Sequence, residues 1–346
     1  MEVLSERNSA ILHAIILDYV KTAEPVSSGA VSARFNGTLC PATIRNIMAY
    51  LEDMGYLKQP HKSAGRIPTA SAFMRYIASI MKAKSLPLHE KKMINDIYRT
   101  TGNMESIMKE TSLLLSALST CMGIVLAPRF DSIKIHHLEF IKINIRQIMV
   151  ILVSDAGIVQ TKIMQIDNKI SQQELVQMSE YLNNITAGRT LRELREVVLS
   201  EMRREKRLYD KLMKKVLMIN DTVVKGDCDA DIYMDGRINI LNQPEFVKDV
   251  ERIKEIFKAF EKKGIVVRFL DRAIESNCMQ IFIGSDNEYK EINGLGLVTA
   301  PYGNDNCRCT VGIAGPIRMD YSRIIPIVDY TAKLLSKTMK DREGNQ

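Results

Sequence analysis

The sequence predicts an α+β protein in which a helical N-terminal unit precedes an antiparallel-sheet domain that is interrupted by an insertion. Three helical patterns and then a hairpin pattern occupy residues 5–68. Strand patterns follow in two blocks, near residues 134–164 and 279–314, and mostly helical sequence separates the blocks. Hydrophobic residues make up 46% and charged residues 26% of the 346 residues, which is the composition of a globular protein with a core.

The first two helices are marked by capping residues and a turn. Apolar residues recur at helical spacing over residues 4–19, and Ser5 precedes them as a candidate N-cap. Ser27 and Ser28 can cap a second, short helix, and Asn36-Gly37 predicts the turn that ends it.

A third helix and a hairpin complete this unit. Pro41 occupies a favoured first-turn position, and Gly55 ends the helix. Strand-like residues 56–59 and 66–68 then flank a loop. Three helices with a tight turn before the third, and a hairpin after it, have the order of a winged helix-turn-helix. The expected apolar stripe of the third helix is Ile44, Ile47, Met48 and Leu51.

Positive charge is concentrated in this unit. Residues 1–84 hold ten Lys or Arg against six Asp or Glu, so about +4 of the net +7 lies there. No acidic residue occurs between Asp53 and Glu90. Such a stretch is typical of a surface that contacts phosphates, although charge alone fits an ordinary solvated face equally well.

The candidate DNA-binding residues follow from the winged-helix order. Recognition helices read base edges from their N-terminal turns, where Arg can pair with guanine and Asn with adenine. A winged helix that binds another protein is the alternative. The residues expected at or near bases are Ala42, Thr43, Arg45 and Asn46. Those expected to contact the backbone or the minor groove from the hairpin are Lys58, His61, Lys62, Ser63 and Arg66.

One long run resembles a known family. The run CPATIRNIMAYLEDMGYLKQPHKSAGRIPTASAFMRYI, at residues 40–77, resembles the HrcA family of bacterial heat-inducible transcription repressors. INILNQPEF at residues 238–246, IFIGSDN at 281–287 and VGIAGPIRMDYSRIIPIVDY at 311–330 also resemble segments of that family. The sequence departs from the family pattern at Cys40, where Ser is usual before PAT, and at Lys62, where Thr is usual. It departs again at residues 72–75, where AFMR replaces a GYR-like helix start.

The resemblance implies a fold and a function. It implies a winged helix, a GAF-like domain and a dimerisation domain inserted into the latter. It also implies a homodimeric repressor of chaperone operons that binds double-stranded DNA at an inverted-repeat operator, the CIRCE element. In that family the GroE chaperonin keeps the repressor active, and heat relieves repression. An alternative is a winged-helix repressor controlled by a small ligand in its GAF-like domain.

The strand and helix patterns place the domain boundaries. We expect the two blocks of strands to form one antiparallel sheet and a final helix to follow over residues 321–339. The basic run at residues 202–215 has apolar residues at helical spacing, which favours an amphipathic helix over a second DNA surface. The expected order is a winged-helix DNA-binding domain (1–84), a connector helix (85–120), the GAF-like domain (121–185 and 279–340), its inserted dimerisation domain (186–278) and a polar tail (341–346).

The sequence favours no enzyme, cofactor or metal site. It contains no GxxxxGK[ST], GxSxG or HExxH motif. In a strand, the side chains of His136 and His137 would face opposite sides and could not share one metal. Cys307-x-Cys309 lacks a second ligand pair, so we expect reduced and mostly buried thiols. The longest apolar stretch, residues 148–153, is too short for a bilayer, and the first residues lack a signal-peptide pattern. We therefore expect a cytoplasmic protein with no membrane partner.

Overall fold

The computed structural model describes most of the chain. The described residues are 4–61, 64–81, 86–100, 104–127, 134–155, 159–165, 170–186, 188–190, 193–194, 196–197, 232–247, 263–284, 292–304 and 307–343. The basic run at residues 202–215 lies outside them.

Helices and strands of these residues give a mixed α+β fold, the predicted class. The helices are α1 (Glu6–Thr22), α2 (Ser28–Arg34), α3 (Pro41–Asp53), α4 (Ala70–Ile80), α5 (Leu88–Thr100), α6 (Met104–Ser119), α7 (Gln172–Thr186), α8 (Arg237–Leu241), α9 (Pro244–Val247), α10 (Lys263–Ser276) and α11 (Tyr321–Glu343). The strands are β1 (Leu57–Lys58), β2 (Ile67–Pro68), β3 (Met122–Leu126), β4 (Ile135–Lys142), β5 (Gln147–Ser154), β6 (Val159–Gln165), β7 (Ile232–Asp235), β8 (Gln280–Ile283), β9 (Leu295–Asn304) and β10 (Cys307–Pro316).

Local signals begin and end the N-terminal helices as expected. The Ser5 hydroxyl accepts the amide hydrogen of Asn8, and the Ser27 hydroxyl accepts that of Ala30. After α3, Gly55 adopts a φ of +76°, and its amide donates to the Glu52 carbonyl while the next amide donates to that of Leu51. This left-handed closure satisfies two carbonyls at the end of the helix.

The β1–β2 hairpin is attached to the linker between α1 and α2. Val26 and Arg66 exchange two backbone hydrogen bonds of 2.9 Å. A Cβ at Gly65 would lie 2.4 Å from the Val26 carbonyl oxygen, so glycine alone fits this approach. The base of the hairpin is therefore fixed to the helices.

A five-stranded antiparallel sheet in the order β7-β3-β10-β9-β8 forms the centre of the molecule. One face packs in the same hydrophobic core as α1, α3, α4, α6 and α11. The other face packs against Ile240 of α8, Phe246 of α9, and Phe269 and Leu270 of α10. The N-terminal unit thus shares one core with the sheet and the C-terminal helix.

A separate three-stranded sheet in the order β4-β5-β6 carries its own core. Helix α7 covers one face, and Asn183 of α7 pairs with both the amide and the carbonyl of Leu138 on β4. The expectation of one sheet is therefore wrong among the described strands. Its physical reason is that alternating apolar residues identify a strand but not its partner.

The strand partners also reveal where the central sheet is interrupted. Strands β3 and β7 are neighbours, with Leu126 opposite Ile232, although residues 127–231 lie between them in the chain. The connector expected at residues 85–120 contains two helices, α5 and α6, instead of one. The final helix begins at Tyr321 as expected and continues to Glu343.

No helix of the described residues is both long and apolar enough to cross a bilayer.

Candidate nucleic-acid interface

Helix α3 presents one polar and one apolar face. Ile44, Met48 and Leu51 are buried in the core, whereas Ile47 is only half-buried. This apolar stripe follows the helical period and fixes which side of the helix faces outward.

The four residues predicted to meet bases lie together on the first two turns of α3. Ala42, Arg45 and Asn46 are exposed, and Thr43 is half-buried. Within the described residues, the side chains of Arg45 and Asn46 have no hydrogen-bond or ion-pair partner. Arg45 and Asn46 therefore keep their hydrogen-bonding groups available for base edges.

The start of α3 lacks a side-chain cap. Cys40 occupies the N-cap position but accepts no capping hydrogen bond, and its Sγ lies 3.1 Å from the Thr43 hydroxyl. This hydrogen bond lowers the pKa of the exposed Cys40 thiol. The first-turn amides thus lack the oxygen that a Ser cap would supply, as expected from the sequence.

The hairpin places two further candidates in solvent. Lys58 of β1 and His61 of the loop are exposed. Lys62 and Ser63 lie outside the described residues.

Arg66 differs from the other candidates because an acidic side chain holds its guanidinium. Its Nε donates to Glu52 Oε2 at 2.8 Å, and Nη2 lies 2.7 Å from the same oxygen. Only 16% of the Arg66 side chain is exposed. Sequence reasoning missed Glu52, although an acidic residue in the last turn of α3 was the available signal.

Two other basic residues of this unit also have partners within the chain. Arg34 pairs with Asp18, and the Arg75 guanidinium lies 5.6 Å from the centre of the Tyr56 ring. These contacts join α1 to α2 and α4 to the hairpin. The accessible cations differ from those that stabilise the unit, and net charge alone could not separate the two groups.

The described residues contain no group of three His, Cys, Asp or Glu that could hold a metal ion. The predicted alternation at His136 and His137 is altered by a β-bulge, which leaves both side chains exposed.

Cys309 and Cys121 are buried, but Cys40 and Cys278 are exposed. The expectation of mostly buried thiols is therefore wrong for two of these four cysteines.

Comparisons with known proteins cover nearly the whole chain. Residues 105–325 match the family model of the HrcA protein C-terminal domain. A protein of Geobacter sulfurreducens named "Heat-inducible transcription repressor HrcA" is 44% identical over 342 residues, 98% of this chain and 99% of that protein. A protein of Syntrophobacter fumaroxidans with the same name is 41% identical over 345 residues, which are 99% of this chain and 99% of that protein.

A solved structure has the same fold. The crystal structure of a hypothetical protein at 2.2 Å resolution superposes with a TM-score of 0.65 at 20% sequence identity. The match covers 98% of this chain and 100% of the other.

Proposed function

The chain belongs to the HrcA family of heat-inducible transcription repressors, and from this premise we propose how it binds DNA and is regulated. The protein is a transcription repressor, and this family is not generally enzymatic. Our proposal is that a homodimer binds an inverted-repeat, CIRCE-type operator of chaperone genes in double-stranded DNA. The site of action is then the bacterial cytoplasm, where the chromosome lies.

The observation that carries the proposal is the outward face of α3. Arg45 and Asn46 project there without partners among the described residues, next to the exposed Ala42. Arg and Asn are suited to guanine and adenine edges in the major groove. We assign α3 as the recognition helix of a winged helix and β1–β2 as its wing.

Phosphate contacts are assigned mainly to the hairpin. Lys58, His61, Lys62 and Ser63 are proposed to contact the backbone from the wing. Arg66 is proposed to act differently, because its pairing with Glu52 stabilises the wing against α3. This ion pair engages Nε and Nη2 of Arg66, so a phosphate contact that leaves the pair intact would use Nη1.

We further propose a GAF-like domain built on the five-stranded sheet, with an inserted dimerisation unit. The pairing of β3 with β7 supports an insertion at residues 127–231 in place of 186–278. Residues 121–126 and 232–340 then form the GAF-like domain. The proposal keeps the bounds of the DNA-binding domain (1–84) and of the connecting segment (85–120), whereas α11 runs through the first three residues of the expected polar tail (341–346).

The three-stranded sheet offers the surface for a second copy of the chain. On the face opposite α7, Met149 pairs with Ile163, and Val153 pairs with Val159. Ile163 is 62% exposed and Val159 is 58% exposed. Exposed apolar side chains that cluster on one face are typical of an interface. Ile163→Lys is expected to convert a dimer to monomers in analytical ultracentrifugation.

Family membership also supports a chaperonin partner. We propose that the GroE chaperonin maintains the DNA-binding state and that heat, by occupying the chaperonin with other clients, relieves repression. The measurement is operator affinity across temperature with and without purified chaperonin. Indifference to chaperonin at every temperature would remove this partner from the proposal.

The central test is selection of DNA by the full-length protein. The wild-type protein should enrich an inverted repeat from a random double-stranded pool, and its affinity should fall steeply with salt. Enrichment of no sequence, together with salt-independent binding, would refute DNA recognition by this surface.

A further inference from the structure

Arg318 occupies the junction between the N-terminal unit and the central sheet. It lies between β10 and α11, and only 13% of its side chain is exposed. Its guanidinium forms hydrogen bonds with segments that are distant in sequence, at Val20, Gln243 and Glu245. Such a side chain crosslinks parts of the chain that local structure leaves independent.

On the sheet side, the guanidinium is held by two acceptors. Nε donates to Glu245 Oε1 and Nη2 lies 3.3 Å from Oε2, so the carboxylate is engaged through both oxygens. Nη2 also donates to Gln243 Oε1 at 2.9 Å. The Gln243 amide group in turn donates to the Thr120 carbonyl at 3.4 Å, which links this cluster to the end of α6.

On the N-terminal side, the same guanidinium binds the end of α1. Nη1 donates to the Val20 carbonyl at 3.0 Å. In a continuing helix the Glu24 amide would occupy this carbonyl, but it donates instead to the Thr22 hydroxyl at 3.2 Å. Arg318 therefore satisfies a carbonyl at the negative end of the α1 dipole with a positive charge.

A second contact lies three residues further along the chain. The fully buried Tyr321 ring packs against Phe73 of α4 with 6.0 Å between ring centroids. This packing holds α4 against the start of α11. The hydrogen bonds of Arg318 are directional, so they add an angular constraint at the end of α1.

We propose that Arg318 is a positioning residue for operator binding, which fixes the direction in which the N-terminal unit is presented to DNA. The inference rests on the proposed function, because it concerns binding of two half-sites by a dimer. Two recognition helices engage two half-sites together only when their separation and direction match the DNA. Simultaneous engagement multiplies affinity by roughly 10²–10⁴ and is lost when geometry forbids it.

The experiment compares two DNA probes. One is the inverted repeat that the wild-type protein enriches from a random pool, and the other is a single arm of that repeat. Affinities of full-length wild-type protein and Arg318→Met are measured for both probes. Sedimentation mass and the melting temperature are measured for each protein, and Lys333→Met serves as control because its ion pair with Asp329 lies within α11.

The expected result separates positioning from recognition. Arg318→Met should bind the single arm within about twofold of wild type, because the face of α3 is unchanged. Its affinity for the full repeat should fall by at least about tenfold as simultaneous engagement is lost. The sedimentation mass should stay that of the wild type, and Lys333→Met should match the wild type on both probes.

Two more conservative variants control for a folding defect. Arg318→Lys keeps the charge but loses the two-pronged geometry, and Glu245→Gln keeps the shape but loses the carboxylate charge. Both should reduce affinity for the full repeat more than affinity for the arm. If neither variant unfolds cooperatively, Arg318 is a folding residue and the inference is overturned.

Other outcomes would overturn either the role of Arg318 or the proposed operator binding. Wild-type affinity of Arg318→Met for the full repeat overturns the inference, as does an equal loss on both probes accompanied by a lower melting temperature. If the wild-type protein enriches no repeat, or binds the repeat no better than its arm, the proposed dimeric operator binding fails instead. The two failures are therefore distinguishable.

Discussion

Replacing Gly65 with alanine should detach the β1–β2 hairpin from the linker between α1 and α2. The new methyl carbon would lie 2.4 Å from the Val26 carbonyl oxygen, 2.5 Å from its carbon and 2.8 Å from the Pro25 oxygen. All three atoms belong to the backbone, so no side-chain rotation can relieve the clash. The hairpin must move away from the linker.

The cost follows from what that movement breaks. The two 2.9 Å hydrogen bonds between Val26 and Arg66 contribute about 0.5–1.5 kcal/mol each. Residual crowding adds about 1–3 kcal/mol. The N-terminal unit should therefore lose about 2–6 kcal/mol of its free energy of unfolding, the sum of these terms.

Native-state hydrogen exchange of the α3 amides measures this loss in the full-length protein. Gly29→Ala is the matched control, because Gly29 lies in α2 with its nearest neighbour atom 3.9 Å from the added carbon. That variant should be neutral or more stable by about 0.5–1 kcal/mol. A Gly65→Ala protein that loses less than about 1 kcal/mol would refute the steric argument.

The remaining predictions concern four single substitutions. Arg45→Ala should cost about 1–3 kcal/mol of operator binding and relax the preference for particular bases. Lys58→Ala should lower the affinity for all DNA sequences alike and reduce the dependence of affinity on salt. Titrations on matched and mismatched DNA separate the two effects. Cys40→Ser should stabilise the start of α3 by restoring a capping oxygen, seen as slower exchange of the first-turn amides, and unchanged exchange would contradict it. Tyr321→Phe should be neutral or stabilising by about 1 kcal/mol, because the Tyr321 hydroxyl is buried without a hydrogen-bond partner among the described residues; a lower melting temperature would contradict this.

Elements defined by neighbouring residues could be predicted from the sequence. Helix α3 begins at Pro41 and ends before Gly55 because each residue acts on the backbone beside it. The outward position of Arg45 and Asn46 follows from the helical period of the buried stripe. The candidate base-contacting surface could therefore be predicted from local sequence patterns.

Strand pairing could not be predicted in the same way. Residues 122–126 read MGIVL, a fully buried run without the alternation that marks a half-exposed strand. The partner β7 is separated from it by a long stretch of chain. Nothing in either segment encodes that distant neighbour, so this pair could not be predicted from local patterns.

Long-range pairing of charges was equally hidden. Arginine is a residue type that commonly contacts phosphates, but Arg66 pairs with Glu52 because of how the hairpin folds back against α3. Arg318 meets Val20 across 298 residues. Charge patterning identified the basic unit but could not say which cations are already paired.

The pairing of Leu126 with Ile232 also bears on the order of folding. Joining β3 to β7 closes a loop of residues 127–231, 105 in all, whereas a tight hairpin closes only a few. By the logarithmic dependence on loop length, that closure costs about 3 kcal/mol more in chain entropy than a four-residue loop. The β9–β10 hairpin can form early from adjacent residues, while β3 and β7 join once the intervening segment has become compact. Until this late step, the edge of β3 that β7 covers stays open to other proteins, and for longer than a meander of the same size would leave it open.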